Sequence, residues 1–72
     1  MNFEIELARI GLDAARKHFE FLGRVKDRES RLLQSMATSE SSCDAAIDAW
    51  EQQAFEVIRC ELLLKKSMGE TV

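Results

Sequence analysis

Proline and tyrosine are absent from this 72-residue sequence, which has only three glycines, two cysteines and one histidine. The lack of proline removes the residue that most often breaks a helix. If Cys43 and Cys60 lie on one helix, about 25 Å separates them, which excludes an intrachain disulfide. The sequence contains no Cys-x-x-Cys pair and no histidine cluster. We therefore expect no metal site, no cofactor and no catalytic activity.

Long apolar runs are also missing. No stretch approaches the roughly 20 apolar residues that span a bilayer, and the acidic N-terminus does not resemble a signal peptide. Two thiols that cannot pair agree with a reducing compartment, so the sequence predicts a cytoplasmic protein. The formal net charge of −3 disfavours nucleic acid as a partner, because phosphate recognition usually requires a basic domain.

What the sequence does contain is two apolar stripes of helical period on either side of the polar segment 37–41. The first stripe consists of Phe3, Leu7, Ile10, Ala14, His18, Phe21, Val25, Leu32 and Met36. The second consists of Cys43, Ile47, Trp50, Ala54, Val57, Leu64 and Met68. This pattern predicts an all-α protein, an antiparallel two-helix hairpin forming a single domain over residues 1–72. Helix 1 should cover about 3–36 and helix 2 about 42–68.

The ends of both helices carry capping signals. Asn2 can cap the first helix, and Ser41 or Ser42 can cap the second. Gly69 is a typical C-terminal stop, and we expect residues 70–72 to fray.

The N-terminal half of helix 1 carries a second apolar face, formed by Ile5, Ala8, Leu12, Ala15 and Phe19. A helix needs only about a 100° stripe to pack on one neighbour, so this half should have at least two neighbours. A chain this short also rarely folds on one small core without help. We predict a homodimer with a four-helix arrangement. Its subunit or partner interface would contain Ile5, Leu12, Ala15, Phe19, Phe55 and Leu62.

One polar pair falls within the predicted helix interface. If the turn centres near residues 39 and 40, His18 and Glu61 lie at the same level and should form a hydrogen bond or ion pair. The favoured interpretation is a device that fixes the register of the two helices. The alternative is a pH-responsive contact.

Charge is distributed unevenly along the chain. Basic residues concentrate between Arg16 and Arg31, whereas acids dominate residues 37–61. An antiparallel hairpin would bring these segments together, and we favour this intramolecular explanation. The alternative is a docking patch for an acidic partner, formed by Arg24, Lys26, Arg28 and Arg31.

These features favour a protein-interaction module over an enzyme. We expect it to regulate, inhibit or chaperone a larger partner protein by binding its surface. One alternative is a co-chaperone-like subunit that is stable only in a hetero-complex. Another is a nucleic-acid-associated regulator that uses the basic strip 16–31, which contains Arg16, Lys17, Arg24, Lys26, Arg28 and Arg31.

Overall fold

The structure, a computed structural model that describes residues 3–69, is an antiparallel pair of helices. Helix α1 covers Phe3–Gln34 and helix α2 covers Glu40–Ser67, and they pack against each other with no strand in this range. The pair measures 52 × 21 × 12 Å. The prediction of an all-helical hairpin is confirmed. The predicted cap at Asn2 and the predicted fraying of residues 70–72 lie outside the described residues.

Helix α1 ends two residues earlier than predicted because Met36 adopts a left-handed conformation, with φ of 61°. The Met36 N–H donates to the Leu33 carbonyl at 3.0 Å, and the Ala37 N–H donates to the Leu32 carbonyl at 2.7 Å. This pair of bonds is the Schellman motif, which glycine usually closes. No glycine marks this position, so the end of α1 at Gln34 was not predicted.

Helix α2 begins at Glu40, two residues before the predicted start, because Ser39 is its N-cap. The Ser39 hydroxyl accepts a hydrogen bond from the Ser42 N–H at 3.1 Å. The prediction of Ser41 or Ser42 as the cap was therefore wrong. At the other end, Gly69 has φ of 79° and its N–H donates to the Lys66 carbonyl, as expected for a helix stop.

The contact between the helices uses the second apolar face of α1 rather than its longer stripe. Among residues 3–69, the three buried apolar residues are Leu12, Ala15 and Cys43. The Phe19 ring stacks on Trp50 with 5.6 Å between centroids, and the Gln53 amide donates to the Ala15 carbonyl at 3.1 Å. The apolar stripe predicted for α2 does face α1.

Small residues explain this choice of face. Ala8, Ala15 and Gly23 lie along the side of α1 that faces α2, and Gly23 leaves room for the large indole of Trp50. A Cβ atom at Gly23 would lie 3.4 Å from Trp50 Nε1, so the indole occupies the space that other residues would fill. Close packing of this kind decides between two stripes of equal period.

Candidate interaction site

About half of the large apolar side chains described in this hairpin are exposed to solvent. Ten of them are exposed among residues 3–69: Phe3, Leu7, Ile10, Phe21, Met36, Phe55, Ile58, Leu62, Leu63 and Met68. Apart from Met36 in the turn and Phe21 near the middle of α1, they lie in the half of the hairpin away from the turn. We call the side of each helix that points away from the other helix its outer face.

The structure divides the six residues predicted as an interface into two groups. Leu12 and Ala15 are buried and Ile5 and Phe19 are half-buried against α2, so these four are covered by their own chain. The expectation that they form an outer surface was wrong, because they belong to the face with the small residues. Phe55 and Leu62 are exposed, with 71% and 53% of their surface accessible.

Several exposed apolar residues were not predicted to lie at the surface, including Phe3 and Leu7. Ile10 is 66% exposed and Phe21 is 51% exposed on α1, and Ile58 is 53% exposed on α2. Ile10 and Phe21 belong to the long stripe that was expected to pack on helix 2. Gly23, together with Ala8 and Ala15, was the available signal that the other face of α1 would be buried.

The predicted pair of His18 and Glu61 is not formed. The turn centres near residue 37 rather than 39 and 40, so Glu61 lies level with a more N-terminal part of α1 and pairs with Arg16 at 3.7 Å. His18 is exposed, and its ring centroid lies 6.2 Å from that of Phe21. The shift in register follows directly from the early end of α1.

Charge pairing between the helices is limited to one contact. Over residues 3–69, the pair of Arg16 and Glu61 is the one ion pair within 4.0 Å that joins α1 to α2. Lys17 pairs with Asp13 on its own helix at 3.2 Å. The expected set of bridges between the basic and acidic segments is therefore not seen.

The four residues of the predicted basic patch do not share one environment. Lys26 lies 4.3 Å above the Trp50 ring and 3.3 Å from Asp27, so it belongs to the helix contact. Arg24, Arg28 and Arg31 are exposed, and within residues 3–69 none of them forms an ion pair. Within residues 3–69, three of the six cations of the strip 16–31 therefore form no ion pair.

The strongest local electrostatic contact lies within α2. The Arg59 guanidinium donates to the Glu56 carboxylate, with 3.0 Å between Nε and Oε2. This hydrogen bond lowers the pKa of Glu56 and raises the pKa of Arg59. The Cys60 thiol lies 3.8 Å from the same carboxylate. Because Arg59 is held along its own helix, it forms no bridge to α1.

An open groove of about 250 Å³ lies between the helices at the end away from the turn. Its lining residues are Leu12, Arg16, Glu61, Leu64, Lys65 and Met68. No group of three or more His, Cys, Asp or Glu side chains in residues 3–69 is placed to hold a metal ion. Neither described helix is long and apolar enough to cross a membrane.

The outer faces are therefore the most distinctive surface of the described hairpin, combining exposed apolar side chains with unpaired arginines. Comparisons with models of protein families, with curated proteins and with solved structures find no match to this chain.

Proposed function

We propose that this chain is a noncatalytic protein-interaction module that regulates, inhibits or chaperones a larger partner by binding its surface. We also propose that it self-associates into a four-helix arrangement. The observation that carries the proposal is that ten large apolar side chains are exposed in residues 3–69, while most of the others are only half-buried in the helix contact.

Binding would recover a substantial free energy from these exposed side chains. Burial of one Leu, Ile or Phe side chain contributes about 1.5–3 kcal/mol relative to leaving it in water. Contiguous exposed apolar surface marks interaction sites in soluble proteins, and aromatic residues tend to dominate their binding energy. Phe3 and Phe55, both 71% exposed, are the strongest candidates for such anchors.

The small core favours a second candidate, a co-chaperone-like subunit that folds stably only within a hetero-complex. Three buried residues provide little free energy to offset the loss of conformational entropy on folding. Urea unfolding of the isolated chain, followed by circular dichroism, separates the two candidates. A cooperative unfolding transition supports the self-sufficient interaction module. A gradual loss of helix with no folded-state baseline supports the subunit that is stable only in a hetero-complex.

Affinity capture from the native host tests the proposed function. The wild-type chain should retain a larger protein in stoichiometric amount, and the purified partner should re-form the complex with the free hairpin. Phe55→Asp should lose the partner because the aspartate would bring a charge into the apolar contact. Met36→Asp is the matched control, since Met36 is 90% exposed in the turn and lies on neither outer face.

Two results would contradict this function. One is the absence of any partner that re-forms a complex after purification. The other is equal binding by the wild type, Phe55→Asp and an Ile10→Asp variant, since that would place the contact elsewhere.

A further inference from the structure

Each outer face changes character along its length. On α1 the exposed apolar residues extend to Phe21, and exposed arginines follow at Arg24, Arg28 and Arg31. On α2 the order is reversed, since the exposed acids Asp44, Asp48 and Glu51 precede the exposed apolar residues Phe55, Ile58 and Leu62. At about 100° per residue, these side chains point away from the contact between α1 and α2. The basic half and the acidic half both lie near the turn.

The two outer faces are complementary when placed side by side in antiparallel orientation. In a single register most opposed positions then match, apolar with apolar and basic with acidic, although Lys17 faces Phe55 and Phe21 faces Glu51. The opposed pairs are Ile10 with Leu62, Ala14 with Ile58, Arg24 with Asp48, Arg28 with Asp44 and Glu6 with Lys66. All ten residues are exposed. In every pair the two residue numbers add up to the same value, so each step toward the C-terminus on α1 is matched by an equal step toward the N-terminus on α2. Antiparallel helices keep such pairs level over the whole contact because both rise by 1.5 Å per residue.

Other pairings of the same faces are less favourable. Two α1 faces in parallel would place arginines against arginines, and two α2 faces in parallel would place acids against acids. An antiparallel pair of α1 faces aligned over their full length would put arginines against the apolar half. The outer face of α1 therefore fits the outer face of α2 better than it fits itself.

Within one hairpin these two faces cannot meet, because each lies on the far side of its helix. We propose that the outer face of α1 docks on the outer face of α2 of a second copy of this chain, with both turns at the same end. The charge complementarity identifies the second copy as the occupant. This inference rests on the proposed function, because it assumes that the outer faces bind other protein surfaces.

The contact is heterologous, since two different surfaces meet. Two copies form a row of four helices in which one α1 face and one α2 face remain free at the ends. Further copies can add at these ends until the row closes into a ring or continues as a filament. A larger partner would bind at the same free faces and would compete with growth of the row.

Complementation between two variants tests this arrangement. Ile10→Asp disables the α1 face, and Leu62→Asp disables the α2 face; both side chains are exposed, so the hairpin should fold. Each variant alone should have the monomer mass of 8.2 kDa by light scattering, whereas the wild type forms larger species. An equimolar mixture should give a complex of twice the monomer mass and nothing larger, because each copy retains one working face.

Several results would overturn the inference. The first is a wild type that stays monomeric up to about 1 mM. The second is a dimer formed by Leu62→Asp alone or by Ile10→Asp alone. The third is an equimolar mixture of the two variants that stays monomeric. Circular dichroism checks the fold, and the pair Ala14→Arg and Ile58→Arg repeats the test with good helix formers. Met36→Asp should associate like the wild type. A monomeric wild type that still binds a larger partner refutes the row and the proposed self-association but not the partner binding, whereas a row without any partner refutes the proposed partner binding alone.

Discussion

At the scale of single residues, Trp50 is the side chain that fixes how the helices meet. It contacts three successive turns of α1: the Phe19 ring at 5.6 Å, the space at Gly23, and the Lys26 ammonium at 4.3 Å. The cation over the indole face and the stacked ring each add directional attraction to the apolar contact. Because α1 offers one glycine at this level, the indole specifies the register.

Glu29 is a residue whose environment lowers stability. Its Oε2 atom is buried and has no hydrogen-bond partner within residues 3–69. Since a buried polar atom without a partner costs about 1–3 kcal/mol, Glu29→Leu should raise the free energy of unfolding by about 1 kcal/mol. Urea denaturation measures the change. Glu20→Leu, at an exposed acid of the same helix, should give no comparable gain. A Glu29→Leu variant less stable than the wild type would refute the prediction.

The contacts made by single side chains between the two helices were only partly predictable from the sequence. Trp50 was expected in the helix contact because it lies in the stripe of α2, and it is found there. Its partners on α1 were not foreseen, since periodicity identifies apolar faces but does not measure the space at Gly23. His18 was misplaced for a related reason, because its expected partner depended on a turn position that was set too late.

At the scale of elements, the helices follow from local signals, whereas the turn depends on tertiary geometry. Ser39 caps the start of α2 and Gly69 follows its end, which are positions that serine and glycine favour. The apolar period had placed the start of α2 two residues later, with Ser41 or Ser42 as the cap. Met36 offers no such signal. It occupies a left-handed position that glycine usually takes, so the end of α1 at Gln34 could not be inferred from its residue type.

The left-handed conformation of Met36 leads to a prediction about the turn. A residue with a Cβ atom pays roughly 1–2 kcal/mol to adopt this conformation, and a glycine does not. Met36→Gly should raise the free energy of unfolding by about 1 kcal/mol, since the side chain is 90% exposed and loses no packing. Thermal and urea unfolding measure the gain. Met36→Ala, which keeps the Cβ atom, should not show it; equal gains from both substitutions would contradict the explanation.

At the scale of the whole molecule, exposed apolar surface lies mainly away from the turn, and the unpaired arginines Arg24, Arg28 and Arg31 lie toward it. The sequence predicted more apolar surface than one hairpin can bury. Ten large apolar side chains are exposed among residues 3–69, but Ile5, Leu12 and Phe19, on which that expectation rested, are covered by the hairpin itself. It did not predict which stripe stays outside, because periodicity identifies both stripes of α1 but does not measure the side-chain volume on which close packing depends. Nor did it show that the basic and acidic segments face away from each other, which requires the actual rotation of each helix.

The charged half of the proposed contact between copies can be tested separately from its apolar half. Arg24→Glu or Asp48→Lys alone should weaken self-association about fivefold, close to 1 kcal/mol, because each places like charges opposite one another. The double variant should restore most of the affinity, and about 0.5 M NaCl should reduce these differences by screening. Sedimentation equilibrium measures the constants, with Arg9→Glu as a control of equal charge change beside the apolar half. If the double variant associates no better than the single variants, Arg24 and Asp48 do not face each other, and the register proposed for the row is wrong.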